Sequence, residues 1–253
     1  MADLSQSQSP LVGLSSRKAF GKVIVELAEK NEAIVALTAD LTGSVQLSEF
    51  ASAFPNRFVN FGVAEQNMMG AAAGLTLAGK IPFVCTYAVF SSLRACEQMR
   101  TDIAYNDLPV KIVSSHGGIS FGIAGATHQA IEDIGIHRGI AGMTVLVPAD
   151  AVETACILRA VVDLPGPVYV RLNRITEKTV YFQEFDYHIG KPDLLRDGKD
   201  VLLIATGAQV GESMDAAKLL ESNGINAGIL NISSIKPVDQ KAVVEILKDY
   251  PAA

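Results

Sequence analysis

At 253 residues, 49% of them hydrophobic, the chain is long enough to bury a substantial core in one or two domains. A net charge of −6, with no block of like charges against that trend, argues against nucleic acid or an anionic membrane as partner. The Ser/Gln-rich start lacks a basic-then-apolar leader and no apolar run approaches the about 18 residues of a membrane span, so a soluble, cytoplasmic protein is expected.

In chain order, a flexible tail over 1–14 gives way to an amphipathic helix capped by Ser15-Ser16, with Phe20, Val23, Ile24 and Leu27 on its apolar face. Ala33 to Thr38 is a predicted strand ending in the polar turn Asp40 to Ser44. A short helix, 47–54, leads to the strand Arg57 to Phe61, which breaks at Gly62. The next helix is small and apolar and carries one carboxylate, Glu65, in its first turn. Strands follow at 81–87 and 110–115, with a helix over 90–106 between them, and His116-Gly117-Gly118 opens a long loop. Residues 127–138 are predicted helical, then a strand (143–147), a helix opening at Pro148-Ala149-Asp150, and a strand (168–172). Cys85, Cys96 and Cys156 lie in apolar surroundings without metal-ligand spacing and read as free thiols of a reducing compartment.

Short buried strands alternating with longer helices predict an α/β fold: a parallel sheet with helices on both faces, over 15–176. Ligands on such sheets sit at the carboxyl ends of the strands. The turns at 39–44, 62–65, 86–90, 116–128 and 171–174 are therefore expected on one rim. From 177 to 199 the pattern dissolves into aromatic and polar residues, read as a linker. A second α/β unit starts at 200 and stops, unfinished, at 253.

The lone Glu65 has a plain explanation, since carboxylates favour helix N-termini through the macrodipole. The sharper one is a buried acid held ready to share a proton with a bound heterocycle. His116 and His128 bracket a glycine-rich loop on the same rim, which raises the odds of the sharper reading. Metal-ligand spacing, a G-x-S-x-G elbow, a Walker sequence and a dinucleotide G-x-G-x-x-G are all absent from the sequence.

From Arg57 to Leu172 the chain resembles the pyrimidine-binding domain of the transketolase family of thiamine diphosphate enzymes. The matching pieces are Arg57 to Met68, Thr86 to Phe90, Ser115 to Gly118, Gly125 to Gln129 with Ile131-Glu132-Asp133, Pro148-Ala149-Asp150, and Gly166 to Leu172. The part after Asp200 is similar to the start of the family's C-terminal domain. The resemblance implies that Glu65 meets the ring nitrogen N1′ of the cofactor's aminopyrimidine. Sharing a proton there favours the imino tautomer, whose exocyclic nitrogen deprotonates the thiazolium C2. It further implies that Tyr87 and Phe90 wall the pyrimidine and that Asp40 lies near the cofactor. His116 and His128 would contact sugar hydroxyls, while Arg17, Ser44 and Arg174 would hold the phosphate of a sugar phosphate.

Two departures bear on substrate. The family's third aromatic falls at Leu93. Where transketolases carry Gly-Glu-Asp-Gly, with an Asp that reads a substrate α-hydroxyl, this chain has Gly122-Ile123-Ala124-Gly125. A site that loses such a contact loses much of its discrimination, so a less hydroxylated or unusual donor or acceptor is expected. The family's diphosphate-binding Gly-Asp-Gly signature, which holds Mg²⁺, is absent. The resemblance therefore implies the C-terminal subunit of a split transketolase. An N-terminal subunit would supply the diphosphate-binding domain and the Mg²⁺, in an α2β2 assembly. Ketol transfer from a ketose phosphate to an aldose is the leading activity. The beta subunit of a 2-oxoacid dehydrogenase and a non-catalytic transketolase-like scaffold are the alternatives; a one-chain deoxyxylulose-phosphate synthase is disfavoured by the missing half.

Overall fold

The computed structural model describes residues 8–253. The first helix forms where its cap stands: the Ser15 side chain accepts from the Lys18 amide, and α1 (Ser16–Lys30) buries Phe20, Val23, Ile24 and Leu27. Then follow β1 (Ile34–Thr38), α2 (Ser48–Ala53), β2 (Phe58–Asn60), α3 (Glu65–Leu77) and β3 (Ile81–Tyr87). The next helical stretch is wound loosely, as π turns at Phe90–Arg94 and Met99–Ala104 around a short α4 (Cys96–Gln98). β4 (Lys111–Ser115), α5 (Asp133–Gly139), β5 (Thr144–Leu146), α6 (Ala151–Val161) and β6 (Val168–Arg171) complete the first unit's succession. The remainder holds β7 (Asp193–Arg196), β8 (Val201–Ala205), α7 (Gln209–Ser222), β9 (Ala227–Asn231), β10 (Ser234–Lys236) and α8 (Gln240–Leu247).

Seven strands form the main sheet in the order β10-β5-β6-β4-β3-β1-β2, all parallel except β10, which pairs antiparallel with β5. A strand buried on both faces must be apolar throughout, and successive side chains feed opposite cores. Ile34, Ala36, Phe83, Cys85, Val113, Val168 and Val170 join the core with α1 and α6. Leu37, Val84, Ile112, Val145 and Tyr169 join the core with α3 and Met99. The registers align Thr38 with Asn60 and with Cys85, Tyr87 with Ser115, and Ser114 with Arg171. The carboxyl ends of these strands therefore end at one level and their loops open on one rim.

Two expectations need revision, and two further segments hold contacts that their sequence does not announce. Of the tail assigned to 1–14, residues 1–7 lie outside the described residues, but 9–14 are fixed. Leu11 is buried, and the Ser9 amide donates to Phe182 O at 2.9 Å. Residues 127–132 are not helical. Gly118 and Ala130 exchange backbone hydrogen bonds of 2.7 and 3.1 Å, which draws the chain into an extended tie before α5 begins at Asp133. The segment 177–199, read as a linker, is pinned to the first unit: Val180 N and Tyr181 N both donate to Asp150 Oδ2 at 2.8 Å, and its later part forms β7, antiparallel to β9. The three-stranded sheet β7-β9-β8 does not contain β10, which belongs to the first unit's sheet although it follows in the chain.

Candidate active site

Asn60 ties the first two rim turns together. Its Oδ1 accepts from the amides of Asp40 (2.9 Å) and Gly62 (3.1 Å). Gly62 has φ +68°, a left-handed conformation that suits glycine. That turn delivers the chain to α3, whose first residue is Glu65, only 2% exposed. The helix N-terminus favours the carboxylate there. Glu65 Oε1 accepts from Arg94 Nη1 at 2.8 Å, and the Arg94 guanidinium lies 4.2 Å over the Phe90 ring. Glu65 Oε2 is buried and has no hydrogen-bond partner among the described residues. Such an atom costs free energy unless something else completes it.

Next to this acid stands a group of rings. Tyr87 and Phe90 stack at 5.6 Å between centroids. His116 lies 4.0 Å from Tyr87 and His128 lies 5.3 Å from Phe90. Phe121 sits between the two histidines, 4.5 Å from His116 and 5.6 Å from His128, and edge-on to Tyr87 at 5.5 Å. His116 Nδ1 pairs with Ser115 Oγ at 2.7 Å and His128 Nδ1 with Thr127 Oγ1 at 2.8 Å. Each ring thus keeps Nε2 for another partner. Burial, then the charges of Arg17, Arg174 and His128, pushes the His116 imidazole down to about 3, so it is neutral at ordinary pH. His116 itself holds φ +65°, a conformation rare outside glycine and concentrated at functional sites.

The three residues expected at a phosphate come together. Arg17 Nη1 donates to Ser44 O at 2.7 Å and Nη2 to Arg174 O at 2.8 Å, leaving Nε buried without a partner among the described residues. Ser44 enters through its carbonyl oxygen. Burial, and then the charge of Arg174, lowers the Arg17 pKa. Neither arginine forms an ion pair among the described residues; Glu177 acts on Arg17 only from beyond ion-pair distance, and the corner they form is positive. Asp40 is exposed with φ +59°, and its carboxylate makes no hydrogen bond among the described residues. Leu93 is half exposed, and Ile123 stands fully in solvent on a single turn of 3₁₀ helix at Gly122–Ala124.

Arg94 and Phe121 escaped sequence reasoning. Arg94 had a signal: it follows Phe90 by four positions, the spacing at which helical side chains meet. Phe121 is an aromatic inside a glycine-rich loop, where no neighbouring strand or helix explains it. Among the described residues no group of three His, Cys, Asp or Glu could hold a metal ion, and no helix is long and apolar enough to cross a membrane.

The fold and the rim define a pyrimidine-binding domain of the thiamine diphosphate type, followed by part of a second α/β unit. Residues 12–177 match the transketolase pyrimidine-binding domain and residues 190–252 the transketolase C-terminal domain. The chain is 45% identical over 236 residues to a putative transketolase C-terminal section of Methanocaldococcus jannaschii, covering 92% of this chain and 74% of that protein. It is 42% identical over 231 residues to an apulose-4-phosphate transketolase subunit of Phocaeicola vulgatus, covering 91% and 74%. Among solved structures, a split-gene transketolase described as an inactive beta4 tetramer superposes with a TM-score of 0.87 at 44% identity, covering 94% of this chain and 78% of that one. The chain belongs to the transketolase family and is homologous to the C-terminal, beta subunits of split transketolases. It is a thiamine diphosphate-dependent transferase subunit of the transketolase type, which moves a two-carbon unit and works with a partner subunit.

An aminopyrimidine suits the residues present. The buried Glu65 Oε2 lacks a partner that a ring nitrogen can supply, and Tyr87 and Phe90 offer stacked aromatic faces beside it.

Proposed function

We propose that Glu65 is the acid that shares a proton with N1′ of the aminopyrimidine, and that Tyr87 and Phe90 hold that ring. When bound, thiamine diphosphate supplies the nucleophilic carbon that accepts the two-carbon unit. Arg94 engages Glu65 through Oε1 alone and so fixes the carboxyl group with Oε2 free for the cofactor. Asp40, on the turn that Asn60 ties to Gly62, lies on the cofactor side of the rim.

His116 and His128 contact substrate hydroxyls through their Nε2 atoms, since Nδ1 of each is taken by a neighbouring hydroxyl. A neutral His116 can donate or accept there without bringing a charge into the site. Arg17, Ser44 and Arg174 receive the phosphate of a sugar phosphate in this positive corner. At Ile123 and Ala124 the family's two acids are replaced by apolar side chains, so no carboxylate reads the donor's α-hydroxyl. A donor or acceptor outside the common pentose phosphates follows, and the likeness to an apulose-4-phosphate enzyme supports it.

The diphosphate and its Mg²⁺ are held by a separate N-terminal subunit, in an α2β2 complex. The beta4 description of the similar split-gene enzyme, which is inactive, supports a beta chain that self-associates but needs its partner to work. The single observation that carries the reading is the buried Glu65 Oε2, without a hydrogen-bond partner among the described residues, on an acid joined through Arg94 to the Phe90 ring.

The test is reconstitution with a Gly-Asp-Gly-bearing subunit from the same source, followed by light scattering and a two-carbon transfer assay across ketose phosphates. An α2β2 mass and transfer that needs both chains are expected. A complex that binds thiamine diphosphate yet transfers nothing from any ketose phosphate overturns the reading.

A further inference from the structure

The loop that carries both histidines is fastened from below by a buried ion pair. Asp133, 1% exposed at the head of α5, accepts at Oδ2 from Arg171 Nε (2.8 Å) and from Tyr169 OH (2.7 Å). Arg171, at the carboxyl end of β6, is itself largely covered. Its Nη2 donates to Ala130 O at 3.3 Å. The same carbonyl accepts from the Gly118 amide, while Gly118 O accepts from the Ala130 amide. Gly117 N donates to Leu172 O, beside Arg171.

The two glycines make room for the guanidinium. A Cβ on Gly117 would come within 2.5 Å of Arg171 Nε and 2.6 Å of Cζ, and one on Gly118 within 3.2 Å of Nη2. The backbone of Gly117-Gly118 therefore lies directly on Arg171. Tyr169 is held in turn by His137, whose ring stacks on it at 3.5 Å with an 11° tilt. Both ends of the segment 116–130 thus converge on one side chain that a buried carboxylate orients. Between them the segment has lighter ties to the rim: Ser120 Oγ accepts from Arg174 N at 3.3 Å, and Phe121 packs edge-on to Tyr87.

We infer that Asp133 and Arg171 are positioning residues that set the loop 116–130 at the rim, and with it the places of His116 and His128. They touch neither histidine and neither Glu65, Tyr87 nor Phe90 in the hydrogen-bond and stacking network. Their effect falls first on substrate contact and reaches Tyr87 and Phe90 only through the ring contacts of the two histidines and Phe121. The catalytic consequence rests on the proposed roles of the two histidines, whereas the anchoring itself does not.

The experiment measures amide hydrogen exchange across the full chain for wild type, Asp133→Asn and Gly117→Ala. The first removes the charge that orients Arg171. The second keeps both charges and displaces the guanidinium by sterics. Both are expected to speed exchange at Gly117, Gly118 and Ala130 by about tenfold or more, the factor that goes with loss of one charge-assisted hydrogen bond, with β4 amides unchanged. In the reconstituted pair, KM for the ketose phosphate should rise about tenfold, with a smaller loss of thiamine diphosphate affinity.

Unchanged exchange in both variants overturns the anchor. Faster exchange with KM intact overturns its bearing on catalysis. If Asp133→Asn speeds every amide because the fold loosens, Gly117→Ala decides alone. A wild-type pair that transfers no two-carbon unit sinks the functional reading and leaves the exchange result to judge the anchor.

Discussion

Glu65 and Glu153 both stand in the first turn of a helix and both are sealed from solvent, at 2% and 1% exposure, but their surroundings complete them differently. Glu153 closes a reciprocal cap on α6. Its Oε2 accepts from Ala149 N at 2.6 Å, and Asp150 Oδ1 accepts from Glu153 N at 2.9 Å. Asn231 Nδ2, from β9 across the seam between the two sheets, reaches both Glu153 oxygens at 3.0 and 3.1 Å. Glu65 has Arg94 on one oxygen and, among the described residues, no hydrogen-bond partner on the other. A buried carboxylate whose bonds are all made within the fold works as structure. A half-made carboxylate is not by itself a ligand site, since Asp133 Oδ1 is also buried without a partner among the described residues while its Oδ2 holds Arg171. What sets Glu65 apart is the ring-lined rim it reaches through Arg94 and Phe90.

The sharpest way to break that contrast is Glu65→Gln. The amide oxygen still accepts from Arg94, so the chain should melt within about 2 °C of wild type. Turnover of the reconstituted enzyme should fall by about a thousandfold, since an amide cannot exchange a proton with N1′. Thermal melts of the chain and steady-state assays of the pair check both halves. Undiminished turnover would return Glu65 to the same structural standing as Glu153.

Much of this contrast was legible in the sequence, for a physical reason. Strands buried on both faces leave continuous apolar runs, such as Ile34 to Leu37, and glycine and polar turns mark where they stop. Glu65, His116 and His128 fall just beyond such stops, where parallel strands place their loops together. β10 left no such trace, because three residues, Ser234-Ile235-Lys236, show no periodicity and pair only with a distant edge strand. Residues 127–132 carry helix-compatible side chains, but the tertiary bonds between Gly118 and Ala130 override that preference. Arg94 reads as a solvated helix residue until the fold sets Glu65 beside it, and Arg171 as a strand-end charge until Asp133 is seen beneath it. Partnerships between residues far apart in the chain are what pattern alone does not carry.

Arg94→Ala sharpens the same comparison by removing the one side-chain hydrogen bond that Glu65 makes among the described residues. The exposed side of the pair is screened by solvent, which reduces its worth below that of a fully buried bridge. Thiamine diphosphate affinity of the reconstituted enzyme is expected to weaken about tenfold, through loss of a fixed carboxyl orientation and of the cation lying over Phe90. Arg94→Lys should recover part of that loss, because an ammonium can still meet Oε1. Titration of the cofactor by calorimetry measures both variants, and wild-type affinity in Arg94→Ala would show that Glu65 holds its place unaided.

Glu153→Gln carries the smallest expected effect on turnover, none, and a distinct one on stability. Burial raises the Glu153 carboxyl from its ordinary range near 4.5 to about 7. Between those values the folded chain binds more protons than the unfolded one, so this group's contribution to stability falls as pH rises. The buried His137 imidazole, pushed down to about 4 by burial, works in the opposite sense up to about 6.5, because there the unfolded chain binds the extra proton. Wild type alone therefore mixes the two, and the difference between variant and wild type isolates Glu153. A glutamine keeps the Ala149 bond through its oxygen and can donate its amide to Asn231 Oδ1, which is buried without a partner once Asn231 Nδ2 faces Glu153. The melting temperature of Glu153→Gln should exceed that of wild type by a margin that grows from pH 5 to pH 8 and then levels, at about 2–4 °C for each kcal/mol gained. Calorimetric scans at each half pH step read it directly. A margin that stays flat across that range would mean that Glu153 is ionised throughout, and that the completed carboxylate is held by its donors more strongly than burial opposes it.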